Sequence, residues 1–316
     1  MSIALEEKRT VYHSDQWRKA LCEMYGYAPV LELVERGGAT VALASMVRSG
    51  LFAKNALRAL PASMYGHLIA ESEADEQELI AALCHGAMQS GMSMRLKSLH
   101  ATQRLLSLRG LQIDARVPIG TADECWAALC SSAKRNVRRS RKEGVHMSIG
   151  SVADLPEFMR LLATTRRRLG LPVPHRRWFR HLLGTGLARL IVGRSNGTAQ
   201  AAVLFLSDSN NLHYAVPAYA DESNRTRALD GCIWELIKIA AAEEKSWLCM
   251  GGSASGNDGL RRYKRKWGAE ERNVYELSLP CGKMPTKEPT SGSRMLRRLP
   301  TPALELLGHA YLRYLS

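Results

Sequence analysis

The same order of elements runs along this chain twice, and that repetition constrains the fold more than any single motif does. In the first half, Asp15 to Tyr25 reads as a short helix capped by Ser14 or Asp15. VLELVE (30–35), the turn at Gly37-Gly38 and TVALASMV (40–47) make a hairpin. The extended run LFAKNALRALP closes at Pro61. Glu73 to Ser90 then places Leu79, Ile80, Leu83 and Ala87 at helical spacing and stops at Gly91, and MSMRLKSL (92–99) follows as a strand. In the second half, a helix over Leu155 to Leu169 ends at Gly170 and Pro172, and a shorter one spans Arg176 to Leu183. LARLIVG (187–193), the turn Ser195-Asn196-Gly197 and TAQAAVLFL (198–206) form the second hairpin, with Asn-Gly as its turn signal. NLHYAVPA (211–218) adds a strand, Arg227 to Glu244 an amphipathic helix, and WLCMGG (247–252) the strand after it. This repeated grammar predicts an α+β protein of two similar lobes. The lobes are expected over residues 1–120 and 121–281. Residues 282–316 open with a Pro-, Gly-, Ser- and Thr-rich stretch that reads as a linker and close with a short helix, Ala303 to Tyr314.

Composition sets the outer bounds. A chain that is 46% hydrophobic and 23% charged has the apolar surface for a real core, which excludes a mainly disordered protein. No run approaches the ~18 apolar residues of a membrane-spanning helix. The opening MSIALEEKRT puts two acids where a signal peptide needs a basic and then an apolar run, so a cytoplasmic location is expected. Seven cysteines without a CxxC pair fit reduced thiols better than a disulfide framework or a zinc site, and no metal is expected.

The net charge of +14 is unevenly placed. Residues 131–182 carry 13 basic and 3 acidic side chains, and 261–316 carry 12 and 5, while the remaining segments are close to neutral. Within SSAKRNVRRSRKEGVHM (131–147), six bases face the single acid Glu143. Such a run is either a solvated helix face or an anion site, and the missing counter-charge points to a phosphate-bearing partner held by Arg135, Arg138, Arg139 and Lys142. In MGGSASGNDGLRRYKRKWGA (250–269), a strand runs into a glycine-rich loop and then a basic-aromatic helix. Gly251, Gly252, Ser253 and Gly259 would let a ligand approach the backbone closely. The spacing is not a Walker loop, and an ordinary surface turn would look the same. Tyr263 and Trp267 are expected in the core, with Lys264 and the neighbouring arginines pointing elsewhere, and Arg261, Tyr263 and Trp267 stand with the loop as candidate substrate contacts. In TTRRRLGLPVPHRRWFRH (164–181), Trp178 and Phe179 either bury against a sheet or stack bases.

Four stretches now occur together and in order: RNVRRSRKEGV (135–145), RRRLGLPVP (166–174), LDGCIWELI (229–237) and GLRRYKRKWG (259–268). This set resembles the FemAB-type branch of the GNAT-fold acyltransferases, and more narrowly the FemAB-like proteins associated with exosortase and exopolysaccharide loci. YGHLIA (65–70) is similar to that branch's Y-G-G-I run, with His67 in place of the second glycine, which makes Tyr65 a candidate ligand contact. The resemblance implies two tandem GNAT-like lobes with a helical tail, and transfer of an aminoacyl or acyl group to an amine. It implies no permanently bound cofactor, with aminoacyl-tRNA or acyl-CoA as donor and a cell-envelope or exopolysaccharide precursor as acceptor. In such relatives the lysine of the F/Y-K-x-x-F/W-G run is tied to the donor and to catalysis, and here that position is Lys264. The acyl-CoA pyrophosphate signature Q/R-x-x-G-x-G/A is replaced by NRTRALDG (224–231).

Three functions are therefore expected to compete. They are an aminoacyl or acyl transferase, a CoA-dependent N-acetyltransferase and a non-catalytic nucleic-acid-binding protein. The basic stretch Arg294, Arg297 and Arg298, followed by Leu304, Leu307, Tyr311, Leu312 and Leu315, either packs back on the protein or touches an anionic membrane at the inner-membrane surface.

Overall fold

A computed structural model describes residues 1, 3–49, 56–63, 68–99, 106–279 and 295–315. The chain divides into two compact units. One is Met1–Ile113 with Arg272–Glu288 and Ala310–Ser316, and the other is Asp114–Glu271 with Pro289–His309.

The first unit opens with α1 (Ile3–Lys8) and α2 (Asp15–Tyr25). The Ser14 hydroxyl caps α2 by accepting the Trp17 N–H at 3.1 Å, and Gly26 ends it with φ of 70°. Strands β1 (Ala28–Arg36) and β2 (Ala39–Ser49) form the hairpin, followed by β3 (Ala56–Ala59) and β4 (Leu68–Ala70). Helix α3 (Glu73–Gln89), capped by Ser72, leads to β5 (Ser93–Ser98). Strand pairing is antiparallel for β1 with β2 and for β2 with β3, then parallel for β3 with β5 across α3. Leu57, Met94 and Leu96 face α3 and pack on Leu79, Leu83 and Ala87.

Strand β6 (Ser107–Pro118) leads into α4 (Ala122–Ala128), α5 (Ser131–Lys142) and β7 (His146–Gly150). Next come α6 (Leu155–Leu169), α7 (Arg176–Gly184), β8 (Arg189–Ser195), β9 (Thr198–Ser207) and β10 (Asn211–Tyr219). The short α8 (Ser223–Thr226), α9 (Ala228–Ala242), β11 (Trp247–Ala254), α10 (Asp258–Arg265), β12 (Glu270–Leu279) and α11 (Thr301–Ala310) complete the chain. In the second unit β7, β8, β9 and β10 pair antiparallel in that order, and β10 pairs parallel with β11 across α9. Both units thus carry a hairpin, an antiparallel third strand, and a parallel pair joined through a long helix. The twofold grammar read from the sequence holds at the level of strand ladders. Strand β9 is buried along nearly its whole length because helices cover both its faces. Ala201, Val203 and Phe205 meet α9, while α6 also packs on β9 and β10.

Two boundaries differ from the sequence reading. The 121–281 lobe stops at Glu271, because Tyr275–Leu279 of β12 pair with Ser98–Met94 of β5 in the first unit. The 282–316 tail is not a separate element either, since Pro289–His309 belong to the second unit and Ala310–Ser316 to the first. Ladder partners are set by distant sequence, and local periodicity does not report them. Helix α11 is docked. The Val173 N–H donates to the Leu304 carbonyl at 3.1 Å, and the Leu304 side chain is fully buried. Leu306, Leu307 and Tyr311 remain exposed. Among the described residues no helix is long and apolar enough to cross a membrane.

Candidate active site

The parallel ladder between β10 and β11 runs for three pairs, from Asn211↔Trp247 to His213↔Cys249. Both strands then continue, β10 to Tyr219 and β11 to Ala254, leaving their carboxyl halves as facing edges of an open slot. A bulge between Tyr214 and Val216 bends β10 where the ladder ends. The backbone groups along that edge can be followed one by one. The Ala220 N–H donates to Gln200 of β9, so by alternation Tyr219 turns its own N–H and carbonyl away from β9, toward the slot. The Thr165 hydroxyl of α6 meets both, accepting from the Tyr219 N–H at 2.8 Å and donating to its carbonyl at 3.0 Å. Pro217, two residues back on the same edge, has no N–H to satisfy. Where two parallel strands part in this way, an extended ligand can lay its own backbone between them.

Across the slot, β11 is shaped by one lysine. Consecutive carbonyls of a regular strand point to opposite sides, but Gly251 has φ of 77° and breaks that alternation. The Lys264 ammonium donates to the carbonyls of both Gly251 and Gly252, the latter at 3.1 Å. Lys264 is 4% exposed, so the expectation that it points away from the core is corrected. The end of α10 carries it inward because Trp267, 1% exposed, anchors that turn in the core. Burial lowers the Lys264 pKa to about 8, against the opposing pull of Asp114 and Glu271.

A second cluster surrounds the start of α9. Asp230, in its first turn and buried, accepts from the Asn136 amide of α5 at 3.2 Å and from the Lys266 ammonium. Lys266 also lies 4.3 Å over the Tyr263 ring. Burial raises the Tyr263 hydroxyl well above its ordinary range, and the Asp230 charge adds to it. Burial does the same to Tyr214 of β10. The basic stretches around 134–142 and 261–266 therefore meet through Asp230, a residue that the LDGCIWELI motif contains but that composition alone does not single out. Arg135, Arg138, Arg139 and Lys142 all lie on the exposed side of α5. Arg138 sits 5.7 Å over Trp126, and Arg139 pairs with Glu143 at 3.6 Å, which Arg225 also reaches at 3.1 Å. At the amino end of α5, burial pushes the Cys130 thiol up. Hydrogen bonds from Ser132 and Ala133 and the Lys266 charge outweigh that and leave its pKa lowered.

The other sequence candidates take structural places. Arg261 grips Glu271 through two nitrogens, at 2.8 and 3.2 Å, and donates to the Ser255 carbonyl at 3.0 Å, so it braces the 254–258 loop. Ser253 is 4% exposed, and its hydroxyl has no hydrogen-bond partner among the described residues. Gly259 is exposed in the first turn of α10. Tyr65 lies outside the described residues. Trp178 and Phe179 are buried, with Phe179 edge-on to Phe158 at 5.2 Å, which leaves neither free to stack a base.

A family described as an acetyltransferase (GNAT) domain matches residues 131–265, which contain α5, the slot and Lys264. No curated protein matches the chain significantly in sequence. The solved structure of FemX superposes with a TM-score of 0.64 at 12% identity, covering 85% of this chain and 92% of that one. The C-terminal domain of a putative lysylphosphatidylglycerol synthetase from Agrobacterium fabrum gives 0.57 at 10% identity, covering 93% and 91%. A tandem GNAT protein from the clavulanic acid biosynthesis pathway gives 0.50 at 10% identity, covering 89% and 93%. At such identities the likeness is one of fold, and it extends over both units. With a GNAT acetyltransferase domain over residues 131–265 and the same ladder grammar in its first unit, the chain is an acyltransferase that shares the fold of FemX and of a tandem GNAT protein.

Proposed function

We propose that this acyltransferase moves an aminoacyl group from a phosphate-rich donor to the amine of a cell-envelope or exopolysaccharide precursor. The observation that carries the choice of donor is the start of α9. An acyl-CoA pyrophosphate placed there needs open N–H groups and no competing anion. The first turn of α9 instead holds the chain's own carboxylate, Asp230, already bonded to Asn136 and Lys266. The exposed bases of α5 then offer the better phosphate surface, which suits aminoacyl-tRNA. The name of the second structural neighbour, a lysylphosphatidylglycerol synthetase, also speaks of an aminoacyl product. Acetyl-CoA is the second reading, favoured by the family's description as an acetyltransferase domain.

In the reaction, the acceptor nitrogen attacks the ester carbonyl carbon and a C–N bond forms. The carbonyl electron pair moves to oxygen, then returns as the ester C–O bond breaks, and the departing alkoxide takes the proton from nitrogen. Backbone N–H groups along the slot would stabilise the oxyanion, and Lys264 would keep β11 in the shape that presents them. Lys264 itself is a candidate donor only through the third hydrogen of its ammonium, two being taken by Gly251 and Gly252.

Incubation with charged tRNA or with acetyl-CoA, plus candidate amines, separates the readings. The expected result is a mass increase of the acceptor with charged tRNA. Product from acetyl-CoA alone overturns the aminoacyl donor, and RNA affinity with no product from either donor returns a non-catalytic binder. Replacing Arg135, Arg138, Arg139 and Lys142 together by Gln should weaken RNA binding and flatten its salt dependence by about one unit of slope per lost phosphate contact. Unchanged affinity at low salt would show that α5 is only a solvated face.

A further inference from the structure

Helix α7 begins with charge of the sign that a helix start disfavours. Its first turn carries Arg176 and Arg177 and no acid, and Arg180 follows one turn on, on the same face as Arg176. The side chains of Arg176 and Arg180 have no hydrogen bond or ion pair among the described residues. A cavity of about 360 Å³ lies against this helix, within the second unit, and both arginines line it. That volume falls in the range of small-molecule sites. Leu155, Pro156 and Met159 of α6 supply an apolar side, and Leu155 and Met159 are buried. Glu305 of α11 also lines the cavity, and among the described residues its carboxylate too has no partner. Opposite charges thus share one cavity without meeting, although a direct pair would relieve both. Leu155 and Pro156 open α6, whereas Thr165, which holds the edge of the slot, stands roughly 15 Å further along the helix axis.

We infer that this cavity is a second ligand site, which takes a free α-amino acid with an apolar side chain. Such a ligand carries a carboxylate and an ammonium on one carbon, with an apolar group beside them. Its carboxylate goes to Arg176 and Arg180, its ammonium to Glu305, and its side chain to Leu155 and Met159. Two guanidinium groups one helical turn apart suit the oxygens of a carboxylate, and the α7 dipole adds to their pull. A fatty acid or a phosphate ester would answer the arginines but set a second anion against Glu305. A simple amine would answer Glu305 and leave both arginines as they are. The inference does not rest on the transfer reaction, because binding is read with neither donor nor acceptor present.

Isothermal titration calorimetry of the full chain with L-leucine, L-methionine and L-phenylalanine tests the site. Saturable binding of at least one of them is expected. Its amide, which lacks the carboxylate, and the acid that lacks its amine should each bind at least ~tenfold more weakly. L-serine should also bind more weakly, for want of an apolar group. Arg180→Gln, made at an exposed side chain, should lower the affinity at least ~tenfold and leave the melting temperature near that of wild type. Glu305→Gln should weaken the amino acid but not the acid without its amine, so that the two bind alike. The site is overturned by the absence of binding for all three amino acids, or by wild-type affinity in Arg180→Gln. It is equally overturned if wild type binds the amide, the deaminated acid or L-serine as tightly as the amino acid, or if Glu305→Gln keeps the discrimination.

Discussion

Replacing Lys264 with alanine is expected to slow transfer at least about tenfold and to cost roughly 2–4 kcal/mol of stability. The two effects have one origin. Without the ammonium, the Gly251 and Gly252 carbonyls lose their shared donor in a buried setting, and a gap opens where the side chain lay. Lys264→Met refills the volume without the donors, so it should recover part of the stability and little of the rate. Lys264→Arg should rescue poorly, since a planar guanidinium does not fit a site built for one nitrogen between two carbonyls. Chemical denaturation and single-turnover transfer measure the two effects separately, and Lys264→Ala with wild-type values in both would reduce the residue to a bystander.

The same lysine sets a pH dependence whose sign follows from burial. Its pKa is about 8 in the folded chain, lowered from 10.5. Between these values the unfolded chain binds the proton more tightly, so stability should rise as pH climbs from about 8 to about 10.5. A neutral amine keeps two N–H donors, enough for the two carbonyls. The rise should vanish in Lys264→Met, and a wild-type slope in that variant would assign it to another group.

Gly308→Ala is the second large effect, and its sign is opposite to what a helix ordinarily shows. Alanine in place of glycine within a helix usually stabilises by about 1 kcal/mol. At this position a Cβ would stand 1.9 Å from the Val173 carbonyl oxygen and 3.0 Å from the Pro174 nitrogen. Both are backbone atoms, so no side-chain rotation relieves the clash. Helix α11 must move off the 171–175 segment, losing the bond from Val173 to Leu304 and the burial of Leu304, at a cost of roughly 2–5 kcal/mol. The melting temperature should fall and proteolysis should begin in the tail. A variant that melts at or above wild type would mean that α11 is loosely held.

What the sequence determined by itself was the local content of both halves. Hydrophobic spacing placed α3, α6 and α9, Asn196-Gly197 placed the β8–β9 turn, and the repeated order announced two similar lobes. These features depend on neighbours a few residues apart, and a one-dimensional pattern records them. The ordered motifs also located the loop around Gly251 and the lysine after it. Tertiary structure alone decided the rest. It took Tyr275–Leu279 into the first unit's sheet, turned Lys264 inward to hold two carbonyls, and tied α5 to Lys266, just past the end of α10, through Asp230. It also assigned Arg261 to Glu271 instead of a ligand and seated Leu304 against the 171–175 segment. Each of these depends on where a ladder ends or which face a helix turns inward, and such choices are made by contacts between residues tens to hundreds of positions apart. A basic run therefore looks alike in sequence whether its charges are buried, paired or left open to a ligand, and only the packing around each one separates the three.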